Sequence, residues 1–367
     1  MLSAEELQRT HELLEHLPST SLTTEQQRSV RQRLRHKLKE HTYATKYRPF
    51  EPLPHNSYFV NRTTSDSTLN ELIQAATTSS EFLLDTESDR IYKQPNKPTL
   101  IQLQILLSNN FSFTVIIEMC YLPRDDHPKF QLIQELFRRT FSSEKIIYIW
   151  GTKDELFPFV QYRLFTIEQI NCLRIINLQF EFKRFWTQHH PHYSSTFTTS
   201  SSCLCETCIG KLPSEPWSLQ DSIAYTLNEY HSKILRNHNF GIGLDPQLFH
   251  RNTLELNHRS QLTNYALNDC LSMQRLIIHM KSHRYQFPFS VPPLVSHDIL
   301  ELSPVSPIDI IHLSHQSNTH TRHPRSSLVK NHLQSSKNPT LSIFVICKTQ
   351  LLLVSIQPMN NKISPRP

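Results

Sequence analysis

Three regimes of apolar patterning divide the chain. Residues 1 to about 55 are polar, with a thin apolar stripe. Thr23 and Gln26 have the spacing of a capping box, and Val30, Leu34 and Leu38 follow at four-residue intervals among Arg28, Arg31, Arg33, Arg35, Lys37 and Lys39. That pattern predicts a basic amphipathic helix. From about 57 short apolar runs alternate with helical periodicity. Strands are expected at Ser57–Arg62, Glu81–Glu87, Leu100–Leu107, Phe111–Glu118, Lys145–Trp150 and Arg174–Phe180. Helices are expected at Asp66–Thr78, Phe130–Phe141, Lys153–Leu164, Ser218–Arg236 and Gln261–His283. Ser108-Asn109-Asn110 between the third and fourth strands reads as a hairpin turn. From 286 onward the chain is rich in Pro, Ser, Thr, His and Asn, with no acidic residue after Asp309. That composition predicts a disordered tail.

An early hairpin followed by alternating strand and helix implies an α/β fold, a mixed sheet covered by helices. The expected organisation is a helical basic extension over 1–55, a central domain over 56–285 and a low-complexity tail over 286–367. An insert over 182–216 interrupts the central domain with His189, His190, His192, a Ser/Thr run and Cys203, Cys205 and Cys208.

Composition removes several functions. Of 367 residues only four are glycine, at 151, 210, 241 and 243, so no glycine-rich phosphate loop can be built. The longest apolar run, 341–356, is broken by Lys348, Thr349 and Gln350 and is not read as membrane-spanning. The polar, acidic first residues do not read as a secretory signal, and seven cysteines then imply reduced thiols in an intracellular protein of nucleus or cytoplasm. A net charge of +6 leans toward an anionic partner.

The candidate chemistry is carboxylate. Phe82-Leu83-Leu84 leads into Asp85-Thr86-Glu87, so a buried strand ends in two acids two residues apart, on one face. Tyr265 and Asp269 lie four apart on a helical pattern, again on one face. Asp154 stands in Trp150-Gly-Thr-Lys-Asp-Glu-Leu, just after a strand. Carboxylates gathered from separate elements are hard oxygen donors suited to Mg²⁺ or Mn²⁺. Each has a plainer reading: Asp154 as a charge favoured by a helix N-terminus, Tyr265 as a core aromatic, Glu155 as a solvated neighbour. Acid-base hydrolysis of sugars by the Asp85–Glu87 pair fits less well, since two acids two apart on one strand, with a distant Tyr-x-x-x-Asp, suit metal ligation.

Taken in order, these motifs resemble the DEDD superfamily of 3′-5′ exonucleases in its tyrosine-containing branch, which includes ribonuclease D, the proofreading domain of bacterial family-A DNA polymerases and the Werner-type exonuclease domain. The family's Asp-x-Glu is similar to Asp85-Thr86-Glu87, its second-motif Asp to Asp154, and its Tyr-x-x-x-Asp to Tyr265–Asp269. Pro98-Thr-Leu-Ile-Gln-Leu-Gln resembles the strand after the first motif, and Trp217-Ser-Leu-Gln-Asp the helix before the last. The resemblance spans about 57–283 and implies a ribonuclease H-like fold. It further implies phosphodiester hydrolysis from the 3′ end of single-stranded RNA or DNA by two Mg²⁺ or Mn²⁺ ions, with no membrane partner. By the same resemblance Asp85 bridges the ions, Glu87 and Asp269 hold the one carrying the attacking water, Asp154 holds the other, and Tyr265 orients the water. The alternative is a catalytically degraded module of this fold that binds nucleic acid or a protein. It rests on Asn177-Leu178-Gln179, where many relatives place Asp-Thr, and on the unusual insert.

In that insert, Cys203-x-Cys205-x-x-Cys208 with His192 nearby could supply four zinc ligands. The competing reading is an exposed loop of reduced thiols. Lys233 and Arg236 could touch substrate phosphate or be plain solvated charges.

Overall fold

The computed structural model describes residues 1–17, 21–192, 203–212 and 214–289, all within one compact unit. The Ser/Thr run of the insert, and the tail expected over 286–367 from residue 290 on, lie outside the described residues. Two helices come first, α1 (Ala4–His16) and α2 (Thr24–Lys46). Each opens on a complete capping box, Ser3 with Glu6 and Thr23 with Gln26, which satisfies backbone donors that a helix leaves free at its start. After β1 (Arg48–Pro49) come β2 (His55–Val60), α3 (Asp66–Thr78), β3 (Glu81–Asp89), β4 (Lys97–Leu106), β5 (Ser112–Glu118), α4 (Pro128–Thr140) and β6 (Ile146–Ile149). A 3₁₀ run over Lys153–Tyr162, α5 (Ile167–Cys172), β7 (Arg174–Asn177), α6 (Leu178–His189), α7 (Leu219–Leu227), β8 (Glu229–Tyr230) and α8 (Thr253–Ser282) complete the described chain.

Six strands form one mixed sheet in the order β2-β5-β4-β3-β6-β7. β3, β4 and β5 are antiparallel neighbours, turned between β4 and β5 by Asn109 and Asn110 at φ 59° and 60°. Asparagine tolerates that left-handed backbone better than most residues. β6 and β7 run parallel to β3, and β2 runs parallel to β5. This is the ribonuclease H-like arrangement, with β2 added at one edge and helices on both faces.

Strand periodicity sorts β3 between two cores. Phe82 and Leu84 join Val60, Leu69, Leu72, Ile101, Leu103 and Ile133 beneath α3 and α4. Leu83 points the other way, into a core with Tyr148 and Ile176 of β6 and β7 and with Trp186, Ile223, Cys270 and Met273 from α6, α7 and α8. Asp85 and Glu87 continue the Leu83 row, so α8 lies over them.

Several expected boundaries move, each for a local reason. The strand expected to reach Phe180 stops at Asn177, whose side chain accepts the Phe180 amide at 3.1 Å and caps α6. Leu178, Phe182, Phe185 and Trp186 then recur at helical spacing and are buried. The helix expected over 218–236 ends at Leu227, because Asn228 adopts a left-handed cap at φ 55°. The last helix begins at Thr253 rather than Gln261, capped by Asn252, which accepts the Glu255 amide at 2.9 Å. The helix expected from Lys153 is a 3₁₀ run with Pro158 inside it, where proline removes the donor an α-helix needs.

The N-terminal helices dock on this frame through one half-buried acid, Glu40, and two buried ones, Asp221 and Glu229. Glu40 of α2 accepts from Gln220 Nε2 (2.6 Å), Tyr230 Oη (2.5 Å) and the Lys233 amide (3.0 Å). Lys39 pairs with Asp221, which also accepts from Tyr43 Oη at 2.9 Å. β1 pairs with β8. There Glu229, fully buried, meets Arg48 at 2.8 Å and Arg275 at 2.9 Å. Removing one partner of a buried ion pair leaves an uncompensated charge. Glu229→Ala is therefore expected to cost about 3 kcal/mol, seen as a lower urea midpoint at unchanged slope. A loss below about 0.5 kcal/mol would show that this network holds no more than an exposed pair.

Candidate active site

The sheet changes direction at β3, antiparallel on its β4 side and parallel on its β6 side. The carboxyl ends of β3, β6 and β7 therefore open on one edge, where clefts form in sheets of this kind. A cavity of about 470 Å³ lies there, with Asp85 and Glu87 at its floor and Tyr265 and Asp269 from α8 over them. Carboxylate oxygens of Asp85, Glu87 and Asp269 lie within 4.8 Å of one another. The spacing of two on a strand and four on a helix thus brings two elements, 182 positions apart in the chain at Glu87 and Asp269 (269 − 87), to one point.

Crowded, half-buried carboxylates perturb one another. Burial pushes the Asp85 carboxyl up, and the charge of Asp269 adds to this. Glu87 is pushed up by burial and then by Asp85 and Asp269. Burial works in the same direction on Asp269, but there it is outweighed by Lys233 and His231, and the group is held below the usual carboxylate range. His231 Nε2 lies 2.8 Å from Asp269 Oδ1, and the Lys233 ammonium pairs with the same oxygen. Burial and then Lys233 lower the His231 pKa, which favours a neutral imidazole donating from Nε2. The set therefore carries one firmly ionised carboxylate and two that hold protons more readily than free acids.

Tyr265 is 7% exposed. Its ring stacks on His231 at 6.2 Å between centroids, with Phe240 at 5.6 Å and Lys233 Nζ 5.0 Å above. Asp89, further along β3, fixes the segment that carries Phe240 by accepting the Phe240 amide at 2.8 Å and the Gly241 amide at 3.2 Å. Basic side chains ring the mouth: His36 and Lys39 from α2, Arg90, Lys233 and Arg236. Trp150, Gln179 and the Ser218–Gln220 segment form the wall beyond β6 and β7. There the Trp217 carbonyl accepts from Gln179 Nε2 at 2.7 Å and Trp150 Nε1 at 3.2 Å.

Asp154 is not brought into this group. It is exposed at the start of the 3₁₀ run and accepts from Thr152 Oγ1 at 3.2 Å. The neighbouring Glu155 is likewise exposed, and it is the acid of this run whose charge acts on Asp85. Gly151 lies in the turn between β6 and this run. It sits at φ +146°, and a Cβ there would stand 2.5 Å from Glu155 Oε1. Glycine lets the chain leave β6 close under that carboxylate. Sequence reasoning left Lys233 undecided and missed His231 and Gln220. Nothing marks His231 locally, because its partner lies 38 residues on.

Three carboxylates in a half-buried cleft, backed by basic groups, are hard oxygen donors that fit a divalent cation of the Mg²⁺ or Mn²⁺ type. Among the described residues, the side chains that meet Asp269 are His231 and Lys233.

No family model matches the chain, and no curated protein matches it. Solved structures do. It is similar to the exonuclease domain of Nibbler from Aedes aegypti, with 11% identity and a TM-score of 0.38, covering 63% of this chain and 94% of that one. It is similar to RNase D of Escherichia coli, an exoribonuclease involved in structured RNA processing, with 12% identity and a TM-score of 0.38, covering 64% of this chain and 47% of that one. RNase D of Trypanosoma brucei in complex with RNA U12 aligns with 11% identity and a TM-score of 0.37, covering 61% of this chain and 62% of that one. The chain thus spans about half of the bacterial enzyme it is similar to, and nearly all of the insect exonuclease domain.

Proposed function

We propose that this chain is a metal-dependent 3′-5′ exonuclease acting on single-stranded ends of RNA or DNA. The observation that carries the reading is the convergence of Asp85, Glu87 and Asp269 within 4.8 Å in a cleft with a basic rim. Carboxylates repel phosphate, so an acidic floor under a cationic rim suits a phosphodiester only if divalent ions stand between them. Asp85, Glu87 and Asp269 would hold such ions, with Glu155 or Asp154 supplying the acid beside Asp85. Bound there, the ions would lower the pKa of an attacking water and neutralise the leaving 3′ oxygen.

The protein's own groups then have definite work. Lys39, Arg90 and Arg236 hold substrate phosphates at the mouth, where nucleic-acid backbone is met by cations. Trp150 offers a face on which a terminal base stacks. Tyr265, one helical turn before Asp269, donates its hydroxyl proton to the attacking water's oxygen and so fixes its orientation. His231 keeps Asp269 ionised and aimed at the floor.

The first test is a 5′-labelled single-stranded oligonucleotide, RNA and DNA in parallel, with Mg²⁺, Mn²⁺ or EDTA. A ladder shortening from the 3′ end is expected with metal only. It should fall by on the order of a thousandfold in Asp85→Asn. A folded wild type that binds metal yet leaves the oligonucleotide intact would sink the proposal. The acid beside Asp85 is settled by a pair of variants: Glu155→Gln should lower kcat about a hundredfold and Asp154→Asn less than about threefold. The reverse ranking would return that role to Asp154.

A second reading, a module of this fold that binds nucleic acid without cutting it, is favoured by one observation. Lys233 places an ammonium on Asp269, where a metal ligand needs a free oxygen. The two readings part on Lys233→Met. If Lys233 yields Asp269 to metal and turns to phosphate, the variant should bind Mn²⁺ about tenfold more tightly, by removal of a like charge, while KM for oligonucleotide rises. If Lys233 permanently replaces the ion, the wild type should bind no Mn²⁺ at millimolar concentration and the variant should gain binding without gaining cleavage.

A further inference from the structure

The insert gathers a second donor set, unlike the first in every chemical respect. His192 Nδ1 lies 3.3 Å from Cys205 Sγ, 3.6 Å from Cys208 Sγ and 3.9 Å from Cys203 Sγ. All four donor atoms lie within 4.8 Å of one another. Zinc–sulfur and zinc–nitrogen bonds at tetrahedral angles put nitrogen and sulfur roughly 3.5 Å apart, which is the spacing found. A disulfide would use two of these sulfurs and leave the third thiol and the imidazole without purpose.

The backbone supplies an independent observation. Residues 203–211 make a tight turn with Ile209 N donating to Cys205 O at 3.1 Å, Gly210 N to Thr207 O at 3.1 Å and Lys211 N to Glu206 O at 2.8 Å. That turn aims the Cys208 amide at Cys205 Sγ, 3.4 Å away. An amide directed at a sulfur stabilises it as a thiolate, the form that binds metal. Cys205 is also the buried member of the set.

We propose that His192, Cys203, Cys205 and Cys208 form a structural zinc site that clamps the 203–211 turn onto α6 and onto the cleft wall before α7. Three soft thiolates and one imidazole select zinc over a hard cation. Four protein ligands leave no open position, which marks a structural site. The clamp reaches the cleft through two tryptophans. Trp186 Nε1 donates to the Leu204 carbonyl at 2.9 Å, and Trp217 Nε1 to Glu206 Oε1 at 2.6 Å. Lys211 pairs with Asp221 of α7 at 2.9 Å and lies 4.6 Å over the Trp217 ring. Trp217 carries the carbonyl that Trp150 and Gln179 bind. Zinc would thus hold, from outside, the wall that faces Asp85 from across the cleft.

The full chain, purified in reducing buffer without chelator and dialysed against millimolar Mg²⁺, should retain about one zinc per chain by elemental analysis. Asp85→Asn with Glu87→Gln should keep it, since those acids belong to the other donor set. His192→Cys should keep it too, as a four-thiolate site, while Cys205→Ser with Cys208→Ser should lose it. Cobalt in place of zinc should give the thiolate charge-transfer and intense visible bands of a tetrahedral site, shifted in His192→Cys. A folded wild type with well under one zinc, or zinc surviving in the double serine variant, would overturn the site. Stripping the metal should speed amide hydrogen exchange over 203–221 and leave β3–β5 unchanged. Unchanged exchange at 203–221 would overturn the clamp.

Discussion

The arrangement of this protein follows from the cost of bringing three carboxylates together. Taking even one carboxylate out of water costs several kcal/mol, and Asp85, Glu87 and Asp269 share a patch 4.8 Å across. Such a group stays in place only if the elements that carry it are fixed by something else. For Asp85 and Glu87 that is the apolar start of β3: Phe82, Leu83 and Leu84 are buried on both faces of the sheet. Burying each contributes roughly 2 kcal/mol. For Asp269 it is Cys270, Met273 and Ile277, which pack the next turns of α8 onto the sheet. What repulsion remains is met at a single oxygen, where His231 and Lys233 converge on Asp269. Because the Lys233 ammonium and the His231 N–H both act on Asp269, one acid is held ionised while the other two are left free to respond to whatever enters the cleft.

The basic N-terminal helix belongs to this economy of charge. Read alone, α2 is a cationic stripe with few apolar residues. Its docking depends on an acid, Glu40, whose carboxylate gathers donors from α7, β8 and the Lys233 backbone. That contact places His36 and Lys39 at the mouth of the cleft and fixes the main chain that presents Lys233 to Asp269. A helix that looks like a solvated extension is in this way a part of the cleft, and its cationic face is continuous with the rim.

How much of this was legible in the sequence depended on how local the cause was. Period two in Leu83, Asp85 and Glu87 and period four in Tyr265 and Asp269 are properties of single elements, so the faces could be read directly. The hairpin at Asn109–Asn110 and the capping box at Thr23 are likewise written in neighbouring residues. Failures came where one residue ends an element that its apolar pattern would continue, as Asn177 and Asn228 do. Asp154 and Glu155 show a finer limit. They are adjacent acids at the head of one helical run, and pattern gives no reason to choose between them. What distinguishes them is three-dimensional: Gly151, with its backbone at φ +146°, lies against the Glu155 carboxylate. His231 and Glu40 were illegible because their partners are far away in sequence and neither stands in a motif.

The two donor sets illuminate one another. Glu87, Asp85 and Asp269 offer only oxygen, in a cleft wide enough for a substrate, and their crowding favours a small, hard, exchangeable cation. His192, Cys203, Cys205 and Cys208 offer sulfur and nitrogen at tetrahedral spacing, with no position left for a fifth partner. If both sets bind metal as proposed, the soft ion would have to be kept from the open site. Donor chemistry would do this: thiolates outcompete carboxylates for zinc, and carboxylates outcompete thiolates for Mg²⁺. The thiol turn meets the rest of the fold through Trp186 and Trp217, which bond the Leu204 carbonyl and the Glu206 carboxylate. The insert interrupts the fold between α6 and α7, where the wall facing the acids must be held without a sheet strand beneath it. The zinc proposed there would close the thiol turn on itself and stiffen it.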